Sequence, residues 1–114
     1  MYFLVSSHFL SEKLYTLYQI VNSKNSISEY SILEIKNNKL KIYSLFDLEN
    51  IVKTFINIEV KKYTKEKIII STKLMIDILT TFSNEILLFE KKKYALNILK
   101  GRGKNLKNEK VRNL

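Results

Sequence analysis

Two hydrophobic periods take turns along the chain, one of two residues and one of three to four. Residues 2–5 form a short apolar run that ends in Ser6-Ser7, either of which suits a helix N-cap. From 8 to 22 the spacing changes: Leu10, Leu14, Leu17 and Val21 recur every three or four positions, with Tyr18 beside them and Glu12 and Lys13 off the stripe. That pattern predicts a helix with one buried and one wet face. Turn-forming residues 22–26 close it. Tyr30 to Lys36 and Lys39 to Leu45 read as strands joined by Asn37-Asn38, a pair that tolerates positive φ and so suits a tight hairpin. Residues 51–60 read as one further strand, because Val52, Thr54, Ile56, Ile58 and Val60 alternate with more polar positions.

A charged connection over 61–67 leads to a short apolar run at 68–70. Ser71 or Thr72 then caps a second helix whose stripe is Leu74, Met75, Ile78, Leu79 and Phe82, and which Asn84 ends. Residues 85–90 and 93–99 form a last pair of strand-like runs around Lys91-Lys92, after which GRGKNLKNEKVRNL shows neither period. The predicted order is β-α-β-β-β-β-α-β-β. Its fold class is α+β, a two-layer domain with two helices packed on a mainly antiparallel sheet, because each helix stripe needs a sheet to cover it. The expected organisation is one domain over 1–99 and a basic flexible tail over 100–114.

At 114 residues and 46% apolar content the chain can bury one core. It has no cysteine, which removes disulfides and thiolate chemistry and fits a reducing compartment, so a cytoplasmic location is expected. The start MYFLVSSHFL lacks the basic residues and apolar length of a signal peptide, and no stretch is apolar enough to span a membrane, so no membrane partner is expected. The net charge of +9 is uneven: residues 1–90 hold 11 basic and 10 acidic side chains, whereas 91–114 hold 9 basic and one acidic. A lysine-rich end either contacts nucleic-acid phosphates or simply keeps the protein soluble.

Asp47 and Glu49 are the best-placed pair of carboxylates. No nucleophile, imidazole or glycine-rich phosphate loop accompanies them, so the expected role is local, accepting backbone donors where two strands connect. His8 is the only histidine and no cysteine joins it, so neither a metal site nor another cofactor is expected. Thirteen tyrosines and phenylalanines, among them Phe9, Tyr15, Tyr18, Phe46, Phe55, Phe82 and Phe89, fall mostly on predicted buried periods and are expected to pack the core. Lys24, after the first helix, and Lys73, entering the second, sit where a cation adds to free amides and a helix dipole to attract phosphate.

In order along the chain, MYFLVSSHFLSEKLYTLYQIVNSKNSI, LEIKNNKLKIYSLFDLEN with its Asp47-Leu48-Glu49, IIISTKLMIDIL with Asp77, and KKYALNI resemble the N-terminal domain of the bacterial DNA polymerase III beta subunit, the sliding clamp. The resemblance covers about residues 1–98. It implies a DNA-clamp-like fold and a non-enzymatic ring in which helices line a hole for duplex DNA and sheets form the outside. Such a ring is a processivity factor in DNA replication, with the polymerase III core and the clamp loader as further partners. By the resemblance Lys24 and Lys73 are DNA-facing. With Lys13, Lys100, Arg102 and Lys104 they make up the expected DNA contacts, while Asp47, Leu48 and Glu49 are structural.

Two departures stand out. Ile27-Ser28-Glu29-Tyr30 replaces the family's proline-containing run, and Lys100-Gly-Arg-Gly-Lys stands where an acidic-aromatic-proline segment would lead to the next domain. The expectation is therefore a truncated clamp without the main peptide pocket, dependent on self-association or companion clamp domains. The alternatives are a small basic non-specific nucleic-acid-binding protein or a degenerate clamp fragment without ring function. A basic binder predicts aromatics or lysines gathered on one sheet face; a clamp predicts lysines on one helical side and an unpaired sheet edge.

Overall fold

The computed structural model describes residues 1–23, 29–45, 51–100 and 108–112. In chain order the elements are β1 (Tyr2–Ser6), α1 (Ser7–Ser23), β2 (Tyr30–Lys36), β3 (Lys39–Leu45), β4 (Ile51–Asn57), β5 (Glu59–Lys62), β6 (Ile68–Ser71), α2 (Thr72–Leu79), β7 (Ile86–Lys91), β8 (Ala95–Lys100) and β9 (Asn108–Arg112). The strands form two sheets, ordered β5-β1-β7-β8-β9 and β4-β3-β2-β6, and every pairing is antiparallel. The fold is α+β, as the alternating periods predict, with two sheets where one was expected.

Alternation decides which side of each sheet is covered. Phe3 and Val5 of β1, Leu87 and Phe89 of β7, and Leu96 and Ile98 of β8 all point inward and are buried. In the second sheet Leu33, Leu40, Ile42, Ile68 and Ile70 do the same. The helices supply the other layer: Leu10, Leu14 and Leu17 of α1 and Met75 and Leu79 of α2 join both inner faces in one apolar core. α1 lies beside α2 and packs against β1, β3 and β4, while α2 packs against β6.

Local chemistry sets the boundaries. The Ser6 hydroxyl accepts from the Phe9 amide at 3.2 Å, so Ser6 starts α1. Ser7, one residue on, is buried and instead exchanges bonds with Glu85, its amide donating to the Glu85 carbonyl at 2.8 Å and its hydroxyl accepting from the Glu85 amide at 2.9 Å. Ser71, rather than Thr72, caps α2 by accepting from the Leu74 amide at 3.3 Å. Asn37 and Asn38 both take positive φ, 54° and 61°, the left-handed pair that turns β2 tightly into β3.

Four expectations need correction. Residues 51–60 are not one strand: pairing stops at Ile58, so β4 stays with β3 while β5 crosses to the other sheet and pairs with β1. α2 ends at Leu79, because the Thr80 and Thr81 hydroxyls donate to the Asp77 and Ile78 carbonyls and the backbone tightens to three-residue bonds. Leu74 lies off the buried face, which runs through Thr72, Met75 and Leu79, and is 47% exposed, while Phe82 reaches the core from beyond the helix. Within the aperiodic C-terminal stretch, Asn108–Arg112 pairs with β8 as a strand.

Aromatic placement differs as well. Phe3, Tyr43, Phe82 and Phe89 are buried, but Phe9, Tyr15, Tyr30, Phe55, Tyr63 and Tyr94 are exposed. Alternation puts Phe55 on the outward side of β4, and the α1 stripe leaves Phe9 and Tyr15 facing water.

Candidate nucleic-acid interface

Cations stand on more than one surface. On the helical side Lys13 is exposed on α1, and Lys73 is exposed as the second residue of α2, just after the Ser71 cap. Neither is ion-paired with a carboxylate among the described residues. Their surroundings are balanced rather than basic, since Glu12 and Asp77 are exposed on the same two helices, and Glu12 is engaged by His8 at 3.3 Å. Exposed apolar side chains, Phe9, Tyr15 and Leu74, make up much of the rest.

Of the other expected contacts, Lys100 ends β8 with its Nζ 2.9 Å from Glu85 Oε1, so its charge is already partnered. Lys24, Arg102 and Lys104 lie outside the described residues, as do Asp47, Leu48 and Glu49. No grouping of three or more His, Cys, Asp or Glu able to hold a metal occurs among the described residues. No helix among them is long and apolar enough to cross a membrane.

A further cationic surface is the outward face of the four-stranded sheet, which gathers lysines and aromatics as a basic nucleic-acid binder predicts, although the sequence reading did not single out its residues. Lys39, Lys41 and Tyr43 share that face of β3, and Lys53 and Phe55 share it on β4. The register sets Lys41 directly opposite Phe55 and Tyr43 directly opposite Lys53. Lysine and aromatic ring thus alternate both along and across the two strands. Lys41 Nζ stands 4.6 Å from the centre of the Tyr43 ring, a cation–π contact. Glu34 of β2 is the carboxylate of this face, 3.5 Å from Lys41 and 4.0 Å from Lys67. Tyr43, whose hydroxyl meets the Lys67 ammonium, holds that amine above its ordinary pKa, with Glu34 adding to the effect. The signal was present in the sequence: KLKIY and KTF have period two, and the Asn37-Asn38 turn fixes how β2 and β3 align. What was missing was the alignment of β3 with β4.

An open groove of about 770 Å³ begins where this face ends. Lys39, Phe55 and Asn57 line it from the sheet, and Phe9 and Lys13 from the start of α1, with Leu4 and Ile86 beneath. Its carboxylates, Glu12 and Glu59, are held by His8 and by Lys61 at 3.2 Å.

No protein-family model matches the chain, and no curated protein matches it in sequence. Solved structures do match in shape. The Helicobacter pylori beta clamp in complex with carprofen overlays with a TM-score of 0.79 at 22% identity, over 100% of this chain and 29% of that one. The same clamp bound to a DNA ligase peptide gives 0.77 at 21%, and the DNA polymerase III subunit beta from Pseudomonas aeruginosa gives 0.76 at 16%, each over 100% of this chain and 30% of the other. The chain therefore spans less than a third of the length of the clamps it resembles, and across its whole length it has the fold of a bacterial beta-clamp domain.

Proposed function

We propose that the chain is a non-catalytic processivity factor of the replicative DNA polymerase, a sliding-clamp subunit or part of one, which holds duplex DNA by phosphate contacts. The observation that carries this is the overlay of the entire chain on part of a beta clamp with a TM-score of 0.79. The helical side supplies the chemistry. Lys13 and Lys73 stand exposed on adjacent helices, and contacts to phosphate position a protein on DNA without reading bases, which sliding requires. Lys24, Arg102 and Lys104 belong to the same proposal as further phosphate contacts, and Lys100 joins them only by giving up Glu85. Asp47, Leu48 and Glu49 would shape the connection from β3 to β4.

Encirclement needs further clamp-like domains beside this one. The polymerase III core and the clamp loader are the partners this role brings. The test is sedimentation of the 114-residue chain with closed circular duplex and with the same duplex linearised. Retention on the circle that is lost on linearisation is the expected result. Equal binding to both forms, or none to either at low salt, would overturn encirclement.

A further inference from the structure

Among the described residues no helix covers the face of the β4-β3-β2-β6 sheet turned away from the core, since α1 and α2 pack on the opposite side. Lys36, Lys39 and Lys53 are exposed there, and among the described residues none of them is ion-paired. Glu34 offsets only part of this charge, and it is shared by Lys41 and Lys67. The surface is thus built to attract an anion.

Its rings narrow the choice of anion. Phe55 is 42% exposed and flanked by Lys53 along its own strand and Lys41 across the pair. Side chains two apart on a strand sit roughly 6.8 Å from one another, so a ring and its neighbouring cations are close enough to meet a base and the phosphates on either side of it. Beyond Lys39 the groove offers a second exposed ring, Phe9, 59% exposed, on an apolar floor. An acidic peptide would use the lysines and leave the rings idle. A duplex hides its base faces from both. A single strand presents phosphates and unstacked bases together, the combination that lysine-flanked aromatic sheets recognise without reading sequence.

We propose that the outward face of this sheet, centred on Phe55, Lys41 and Lys53 and running into the groove at Phe9, binds single-stranded nucleic acid. The site adjoins the helical surface assigned to duplex DNA at the groove, where Lys13 lies beside Phe9, but it does not depend on the clamp role. Phe55 stacks on a base, the exposed Lys53 and Lys39 meet phosphates, and the groove accepts a neighbouring base against Phe9. Tyr43, which is buried, serves by holding Lys41 and Lys67 in place rather than by stacking.

The test is fluorescence anisotropy of the 114-residue chain with a labelled oligothymidylate, a blunt duplex and polyglutamate as competitor. Phe55→Ala is expected to weaken oligothymidylate binding roughly 5- to 150-fold and to leave duplex binding unchanged. Lys53→Gln, an exposed change that does not touch the core, is expected to reduce the salt slope for the single strand by about 0.7. Unaltered single-strand binding in Lys53→Gln and in a folded Phe55→Ala protein would overturn the proposal. So would displacement of the oligonucleotide by polyglutamate at matched charge, which would mark the face as a site for acidic peptide.

Discussion

Replacing Lys13 and Lys73 by glutamine tests the helical surface with little risk to the fold. Both side chains are exposed and neither is ion-paired among the described residues, so no described salt bridge is lost. Lys73 lies in the first turn of α2, which contains no acidic residue, and a positive charge there opposes the helix dipole. Removing it is expected to raise stability by about 0.5 kcal/mol. Each lysine that contacts a phosphate contributes about 0.9 to the slope of log affinity against log salt, so the double variant should lose about 1.8. Between about 50 and about 200 mM salt, the fall in duplex affinity should then be roughly twelvefold smaller than for the parent. The two sites are on different helices, so single variants should each show half of the change in slope. Anisotropy titrations of a duplex across a salt series measure it, with thermal melts as a check on folding. A slope that stays at the parent value in a folded double variant would refute phosphate contact by this surface. A loss found entirely in one single variant would refute the pairing of the two helices.

Two further predictions concern the scaffold. Ser31, Ser44 and Thr72 form a buried hydroxyl chain, with Ser31 Oγ 2.9 Å from Ser44 Oγ and 2.6 Å from Thr72 Oγ1, tying β2 to β3 and to the first residue of α2. Ser31→Ala strands the other two hydroxyls and should cost about 1–3 kcal/mol, whereas Ser31→Ala, Ser44→Ala and Thr72→Val together should cost less than the single change; chemical denaturation decides, and a larger loss in the triple variant refutes the chain. Glu66, on the 63–67 connection, has its pKa held below the ordinary 4.5 by the hydrogen bond it accepts from the Lys91 ammonium. A depressed carboxylate stabilises the fold above its unfolded pKa and loses that contribution as pH falls through its folded pKa, so Lys91→Met should flatten stability against pH below about 4.5 and move the Glu66 carboxyl titration, followed by NMR, upward; an unmoved titration refutes the pairing.

The elements that sequence periodicity located well are those whose limits are set by neighbours in the chain. Leu10, Leu14, Leu17 and Val21 are all buried, the serine caps are local bonds, and the Asn37-Asn38 turn is a local backbone conformation. What it missed depends on distant partners. Residues 51–60 keep a period of two throughout, yet Phe3 pairs with Val60 and draws the second half into another sheet. Asn108–Arg112 has no apolar alternation, and its strand exists because β8 offers an open edge. In α2 the buried face runs through Thr72, Met75 and Leu79, which leaves Leu74 outside, and the stop at Leu79 puts Phe82 beyond the helical stripe. The cationic face followed the same rule: its residues were visible on each strand, but the lysine–ring alternation appears only once β3 and β4 are aligned.

Charge segregation explains why the near-neutral balance of residues 1–90 conceals a basic surface. Around the five-stranded sheet several amines are paired within the chain, Lys61 with Glu59 at 3.2 Å, Lys92 with Glu90 at 3.4 Å, Lys100 with Glu85 at 2.9 Å, and Lys91 with Glu66, while the exposed Lys62 and Lys93 have no carboxylate partner among the described residues. These pairs are worth little individually where solvent reaches them, but each cancels the field of its lysine at a distance. On the four-stranded sheet the outward residues of β2, β3 and β4 include Lys36, Lys39, Lys41 and Lys53 with only Glu34 against them. An anion approaching this sheet from solvent therefore meets uncompensated charge at Lys36, Lys39 and Lys53. Because such a field acts over about a Debye length of 8–10 Å at ordinary salt, it draws a polyanion to the β3–β4 rings before any ring contact forms. Steering by lysines and retention by Phe55 are then separable: raising salt should slow association with the single strand, and removing the ring should speed its release.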